Sequence, residues 1–124
     1  MRVTEDLRER ILAQLADPES LQIITSVVKE GRTALELGKE LSLPSTTLYR
    51  KIAELRECGL VTVDTFEFGP NGKREARFAC TFKEIVLRTS REGIELEVIP
   101  SARSQEKGWF ELFFAKKEDS RSPG

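Results

Sequence analysis

The stretch Thr33–Gly59, TALELGKELSLPSTTLYRKIAELRECG, decides the fold. Thr33 and Glu36 stand three apart. At that spacing a threonine hydroxyl accepts from a first-turn amide while the glutamate reaches back to the cap amide, so a helix is predicted to open at Ala34. Leu37 and Leu41 give it an apolar edge over about two turns. Ser42-Leu43-Pro44 breaks it, because the residue before a proline is pushed out of the helical region, and Pro44 or Ser45 can begin the next helix. That helix is predicted to run to about Cys58 with Leu48, Ile52 and Leu55 as its buried stripe, and Gly59 ends it.

Upstream, Leu7, Ile11, Leu12 and Leu15 recur at helical spacing between Thr4 and Ala16. Asp17 offers an N-cap and Pro18 suits a first helical position, which predicts a second helix burying Leu21, Ile24, Val27 and Val28 and closed by Gly31. Downstream of Gly59 the period changes. Leu60, Val61, Val63, Thr65, Phe66 and Phe68 are strand formers, as are Phe78, Cys80, Thr81 and Phe82, and Gly69-Pro70-Asn71-Gly72 between them is a hairpin turn. A second hairpin is predicted from Ile85, Leu87 and Thr89 to Ile94, Leu96 and Val98, with Arg91-Glu92-Gly93 at the bend and Pro100 at the end. Ser104 is expected to cap a helix carrying Trp109, Leu112 and Phe113, with Lys116 and Lys117 near its C-terminal end, and residues 120–124 read as disordered.

Two short helices joined by a tight turn and followed at once by a hairpin with a basic tip are the pattern of a winged helix-turn-helix. The expected fold class is α+β, a winged helix-turn-helix with an added C-terminal β-hairpin and a short C-terminal helix. Its divisions are residues 1–16, an N-terminal helix; 17–82, the winged domain; 83–118, hairpin and C-terminal extension; and 119–124, a disordered tail. A chain of 124 residues with 39% hydrophobic side chains is sized for one core.

The formal net charge is −1, so attraction to a polyanion has to be local. Residues 1–44 carry six basic and eight acidic side chains, whereas residues 45–83 carry seven basic and five acidic ones. The middle of the chain therefore has the sign a phosphate-binding surface needs. With about 100° per residue and Leu48, Ile52 and Leu55 turned inward, Thr46 and Arg50 face outward from the N-terminal half of their helix with Thr47 on one shoulder. In a major groove that half meets base edges, where arginine suits guanine and threonine suits several bases. Ser45, Tyr49 and Lys51 are candidates for phosphate contacts, with Thr46 shared between the two roles, and Lys73, Arg74 and Arg77 supply the hairpin's cations. Glu54 and Glu57 require the C-terminal half of the helix to stay clear of DNA.

Residues 17–82 resemble the DNA-binding domain of prokaryotic ArsR-type winged-helix regulators, especially the archaeal kind. The resemblance rests on Asp17-Pro18, on Thr33-Ala34-Leu35-Glu36-Leu37, and on Leu43-Pro44-Ser45-Thr46-Thr47-Leu48-Tyr49-Arg50. Gly59-Leu60-Val61 and Gly72-Lys73-Arg74 complete it. It implies a transcriptional regulator that binds double-stranded DNA as a homodimer. Dimerisation is assigned to Leu7, Ile11 and Leu15 of the first helix and to Trp109, Leu112 and Phe113. Metal sensors of that family carry paired cysteines where this chain has Thr46 to Arg50. Cys58 and Cys80 form no C-x-x-C pattern and the chain has no histidine, so no metal and no cofactor are expected. Nothing groups a nucleophile, base or paired carboxylates as an enzyme requires. No apolar stretch is long enough for a bilayer and the N-terminus lacks a signal-peptide pattern, so a cytoplasmic location is expected. The alternative from another class is a winged-helix module that binds protein, since fold alone does not decide function.

Overall fold

Side-chain caps set the start of most helices in the computed structural model, which describes residues 3–109. Thr4 accepts from the Leu7 amide at the head of α1 (Glu5–Ala16), and Asp17 accepts from the Ser20 amide at the head of α2 (Pro18–Lys29). The reciprocal Thr33–Glu36 box opens α3 (Ala34–Leu41), which ends at Ser42 in the left-handed region with φ 56°. Then come α4 (Ser45–Glu57), β2 (Val61–Phe68), β3 (Arg74–Cys80), β4 (Phe82–Ser90), β5 (Gly93–Pro100) and α5 (Ala102–Lys107); a two-residue strand, β1 (Arg32–Thr33), precedes α3. The expected class holds: helices come first and antiparallel hairpins follow.

The core lies where α1 to α4 meet the bases of both hairpins. Ile11, Ile23, Leu37, Leu55, Leu60, Val61 and Val98 are all at 0% exposure there. Burial on this scale is the main force holding the helices at fixed angles. The first sheet has the order β1-β3-β2, with Arg32 paired to Phe78 and Thr33 to Arg77. The second consists of β4 and β5 alone. One residue, Thr81, joins the two. Its amide donates to Leu60 O, its hydroxyl to Gly59 O at 2.7 Å, and its carbonyl accepts from the Ser101 amide, so the two hairpins diverge from a fully bonded junction.

Several sequence expectations are corrected. The buried residues of α2 are Ser20, Ile23, Ile24, Ser26 and Val27, while Leu21 and Val28 are exposed at 44% and 39%. Ser20 takes its buried place by donating to Gln14 Oε1 at 3.1 Å. Gly31 caps no helix. It passes beside β3, where an added Cβ would stand 3.2 Å from Phe78 O. Leu7 and Ile11 lie in their own chain's core at 3% and 0% exposure, and half-buried Leu15 packs against it, so Leu7 and Ile11 have no surface to offer a second subunit. α5 is capped by Ser101, which accepts from the Ser104 amide, and it stops at Gly108 with φ 70°. Trp109 lies beyond α5, is itself helical and is buried at 9% exposure. Leu112, Phe113, Lys116, Lys117 and the tail from 119 lie outside the described residues.

Candidate nucleic-acid interface

The N-terminus of α4 differs chemically from those of the other long helices. Pro44 occupies its cap position and makes no side-chain hydrogen bond, and its first turn contains no acid. The first amides of a helix have no partner within the helix, and together with the helix dipole they favour an anion. α1, α2 and α3 each place acids in the first turn and a capping oxygen ahead of it, which satisfies those groups internally. At α4 the amides are left to solvent or to a ligand.

Leu48, Ile52 and Leu55 are buried as the period requires, which fixes the rotation of α4. Ser45, Thr46, Tyr49 and Arg50 are exposed and Thr47 is half-buried. Among the described residues Arg50 makes no salt bridge, and its guanidinium is available. Lys51 is placed differently. Its ammonium lies 2.8 Å from Asp17 Oδ2 with only 13% of the side chain exposed. That ammonium and the Ser20 amide hold the Asp17 carboxyl down at about 2. Lys51 thus bolts α4 to the start of α2. Further along, Gln14 Nε2 donates to Glu54 Oε2 at 3.4 Å, which turns that carboxylate toward α1 and away from the exposed N-terminal turns.

The wing, β2 and β3, carries the remaining predicted cations. Its tip closes through Gly69 and Lys73, with Gly72 at φ 78° and the Asn71 side chain accepting from the Lys73 amide. Lys73 and Arg74 are exposed there, and Arg74 lies over the Phe66 ring at 3.8 Å. Arg77 sits at the wing's base and works inside the fold. It donates to Glu67 at 2.9 and 3.0 Å and to Gly31 O at 2.6 Å, and lies 3.5 Å from Glu36. Hydrogen bonding to Glu67 raises the Arg77 pKa and lowers that of Glu67. The cluster ties the wing to the α2–β1 connection and to the α3 cap.

The structure therefore brings Ser45, Thr46, Thr47, Tyr49 and Arg50 onto one helix end and Lys73 and Arg74 onto the wing tip, and it uses Lys51 and Arg77 as braces. Two features were missed by sequence reasoning. The unsatisfied cap at Pro44 was visible as a proline where other helices have an oxygen, whereas the exposure of Phe66 and Phe68 had no local signal. Cys58 and Cys80 are both buried, and burial pushes the Cys80 thiol up to about 12. Among the described residues no group of three or more histidine, cysteine or acidic side chains converges to hold a metal.

Residues 15–64 match the helix-turn-helix domain family. The match begins at the end of α1 and covers the helix-turn-helix formed by α3 and α4 as far as the first residues of the wing. No curated protein matches the chain. Solved structures similar to it include HlyU from Vibrio cholerae N16961, with 14% identity over 89% of this chain and 94% of that one and a TM-score of 0.43. NolR from Sinorhizobium fredii is similar at 17% identity over 86% of this chain and 83% of that one, also with a TM-score of 0.43. No described helix is long and apolar enough to cross a membrane.

Proposed function

We propose that the chain is a sequence-specific regulator of transcription, of the ArsR type, that binds double-stranded DNA as a homodimer in the cytoplasm and has no catalytic activity. The observation that carries this reading is the end of α4, where uncapped amides, exposed Ser45 and Thr46 and the available Arg50 stand together on a helix free of first-turn acids. In the proposed complex the amides and Ser45 hold a phosphate. Thr46, Thr47 and Arg50 reach base edges in the major groove, Tyr49 covers the neighbouring backbone, and Lys73 and Arg74 grip the flanking strand. Lys51 and Arg77 act through geometry, by fixing the helix and the wing relative to each other.

For the homodimer, the second hairpin offers what α1 does not. Leu87 and Ile94 are 49% and 50% exposed, and with Val3 and Arg8 they line an open hollow of about 760 Å³. A two-fold pair of chains would set its recognition helices in successive major grooves roughly 34 Å apart. The same apolar hairpin also supports the second reading, a module that binds another protein. A titration against fragmented genomic DNA at moderate salt separates them. Selective retention of particular fragments over random duplex is the expected result, and uniform weak binding to every fragment transfers the case to the protein-binding module.

A further inference from the structure

β2 does not alternate uniformly along its length. Val61 pairs with Cys80 and Val63 with Phe78; the register then shifts between Val63 and Thr65, after which Phe66 pairs with Ala76 and Phe68 with Arg74. Residues paired directly across antiparallel strands share a face, and Phe78, Ala76 and Arg74 alternate along β3 on one face. The bulge at Asp64 thus returns Phe66 and Phe68 to the side that carries Val61, Val63 and Phe78 nearer the core. Uninterrupted alternation would have put Thr65 and Glu67 there instead. Bulges re-aim side chains in this way. The inserted residue is held in place, since Arg103 donates to Asp64 at 2.9 and 3.2 Å.

Among the described residues only the Arg74 guanidinium lies over either ring, on Phe66. Phe66 is 53% exposed and Phe68 79%. Arg74 and Ala76, which share that face, border a small hollow together with Phe78, Ala34 of α3 and Tyr49 of α4. Glu75 also borders that hollow, but by register it pairs with Glu67 on the opposite face. The result is a face of two rings and a guanidinium stacked on one of them, with Lys73 at the turn beside it. Apolar and cationic surface together suit the stacked, negatively charged groove of a nucleic acid.

We infer that this face is a wedge for the duplex: Phe68 inserts against a base step in the minor groove beside the helix contact and opens it, while Phe66 and Arg74 brace the sugar–phosphate strand. The inference rests on the reading of α4 as a DNA-binding helix. It adds that the bound duplex is kinked at the wing. Phe68 is the ring left uncovered by Arg74, which makes it the one free to enter the stack.

The test uses the full chain and a duplex taken from the genomic selection, with 2-aminopurine at steps flanking the major-groove contact and a donor–acceptor dye pair at its ends. Wild type should raise 2-aminopurine fluorescence at one flanking step and bring the duplex ends closer. Phe68→Ala should abolish the fluorescence rise and weaken binding by about tenfold, while Phe68→Leu, still an apolar wedge, should retain most of both. Arg50→Ala should weaken binding but leave the fluorescence rise intact at saturating protein. Duplex binding by wild type without a fluorescence response overturns the wedge alone, as does a Phe68→Ala chain that matches wild type. The wedge is likewise overturned if Phe68→Ala affects only single-stranded DNA or changes the sedimentation of the free protein. Absence of any duplex binding by wild type removes the DNA reading and the wedge with it.

Discussion

Arg50 and Lys73 are both exposed cations, but the proposed complex gives them different roles. Arg50 projects from a helix whose rotation is fixed by Leu48, Ile52 and Leu55, which in the proposed complex would aim its fork at one position on a base pair. Lys73 sits on a turn and carries a point charge. Arg50→Ala should cost about 1 to 3 kcal/mol at the preferred site and relax the choice of base there. Lys73→Ala should weaken all duplexes alike and reduce the slope of log K against log salt by about 0.9. Binding to preferred and scrambled duplexes at several salt concentrations checks both. Lys51 and Arg77 look the same in sequence as these two, yet their carboxylate partners lie 34 and 10 positions away, which no local pattern announces. For Asp17 the folded state holds the carboxyl near 2 against an ordinary 3.8. A depressed carboxylate contributes stability above its unfolded value and loses it as pH falls through its folded one. The melting-temperature advantage of wild type over Asp17→Asn should accordingly be full at pH 5 and shrink between about pH 4 and pH 2.

Helix starts were legible because caps are short-range chemistry: Asp17-Pro18 and the Thr33–Glu36 box appear where sequence placed them. Thr33→Ala should lower stability by about 1 to 2 kcal/mol in a denaturant titration, because α3 loses the acceptor for its Glu36 amide. The rotation of α2 was not legible. The expected stripe of Leu21, Ile24, Val27 and Val28 shares Ile24 and Val27 with the observed one, which turns Ile23 inward instead of Leu21 and Val28 and tolerates Ser20 because Gln14 accepts from its hydroxyl. Ser101 and Ser104 competed in the same way for one cap. Ser101 won, being the residue at which β5 has just released its backbone. The register shift at Asp64 had no sequence signal, since one extra residue in a run of strand formers leaves the run unchanged. It nevertheless decides which face of the wing is aromatic.

Across the whole molecule, two hairpins leave the junction at Thr81, and each runs past the helices that cover its base. Both carry apolar groups on the uncovered part, Phe66 and Phe68 on the wing and Leu87 and Ile94 on the second hairpin. The division of labour proposed for them predicts different failures. Leu87→Asp with Ile94→Asp should convert a sedimenting dimer to monomer with little change in the monomer's melting. Ile11→Ala should cost about 2 to 5 kcal/mol of stability, because Ile11 fills the chain's own core. A dimer unaffected by the paired aspartates would remove the second hairpin from the interface. The bare end of α4 has its own consequence. A helix whose first amides have no acceptor exchanges its hydrogens there readily, and a bound phosphate supplies what Pro44 does not. In the proposed complex the first turn of α4 would gain its exchange protection from the DNA phosphate, so that binding would complete the hydrogen bonding of that turn.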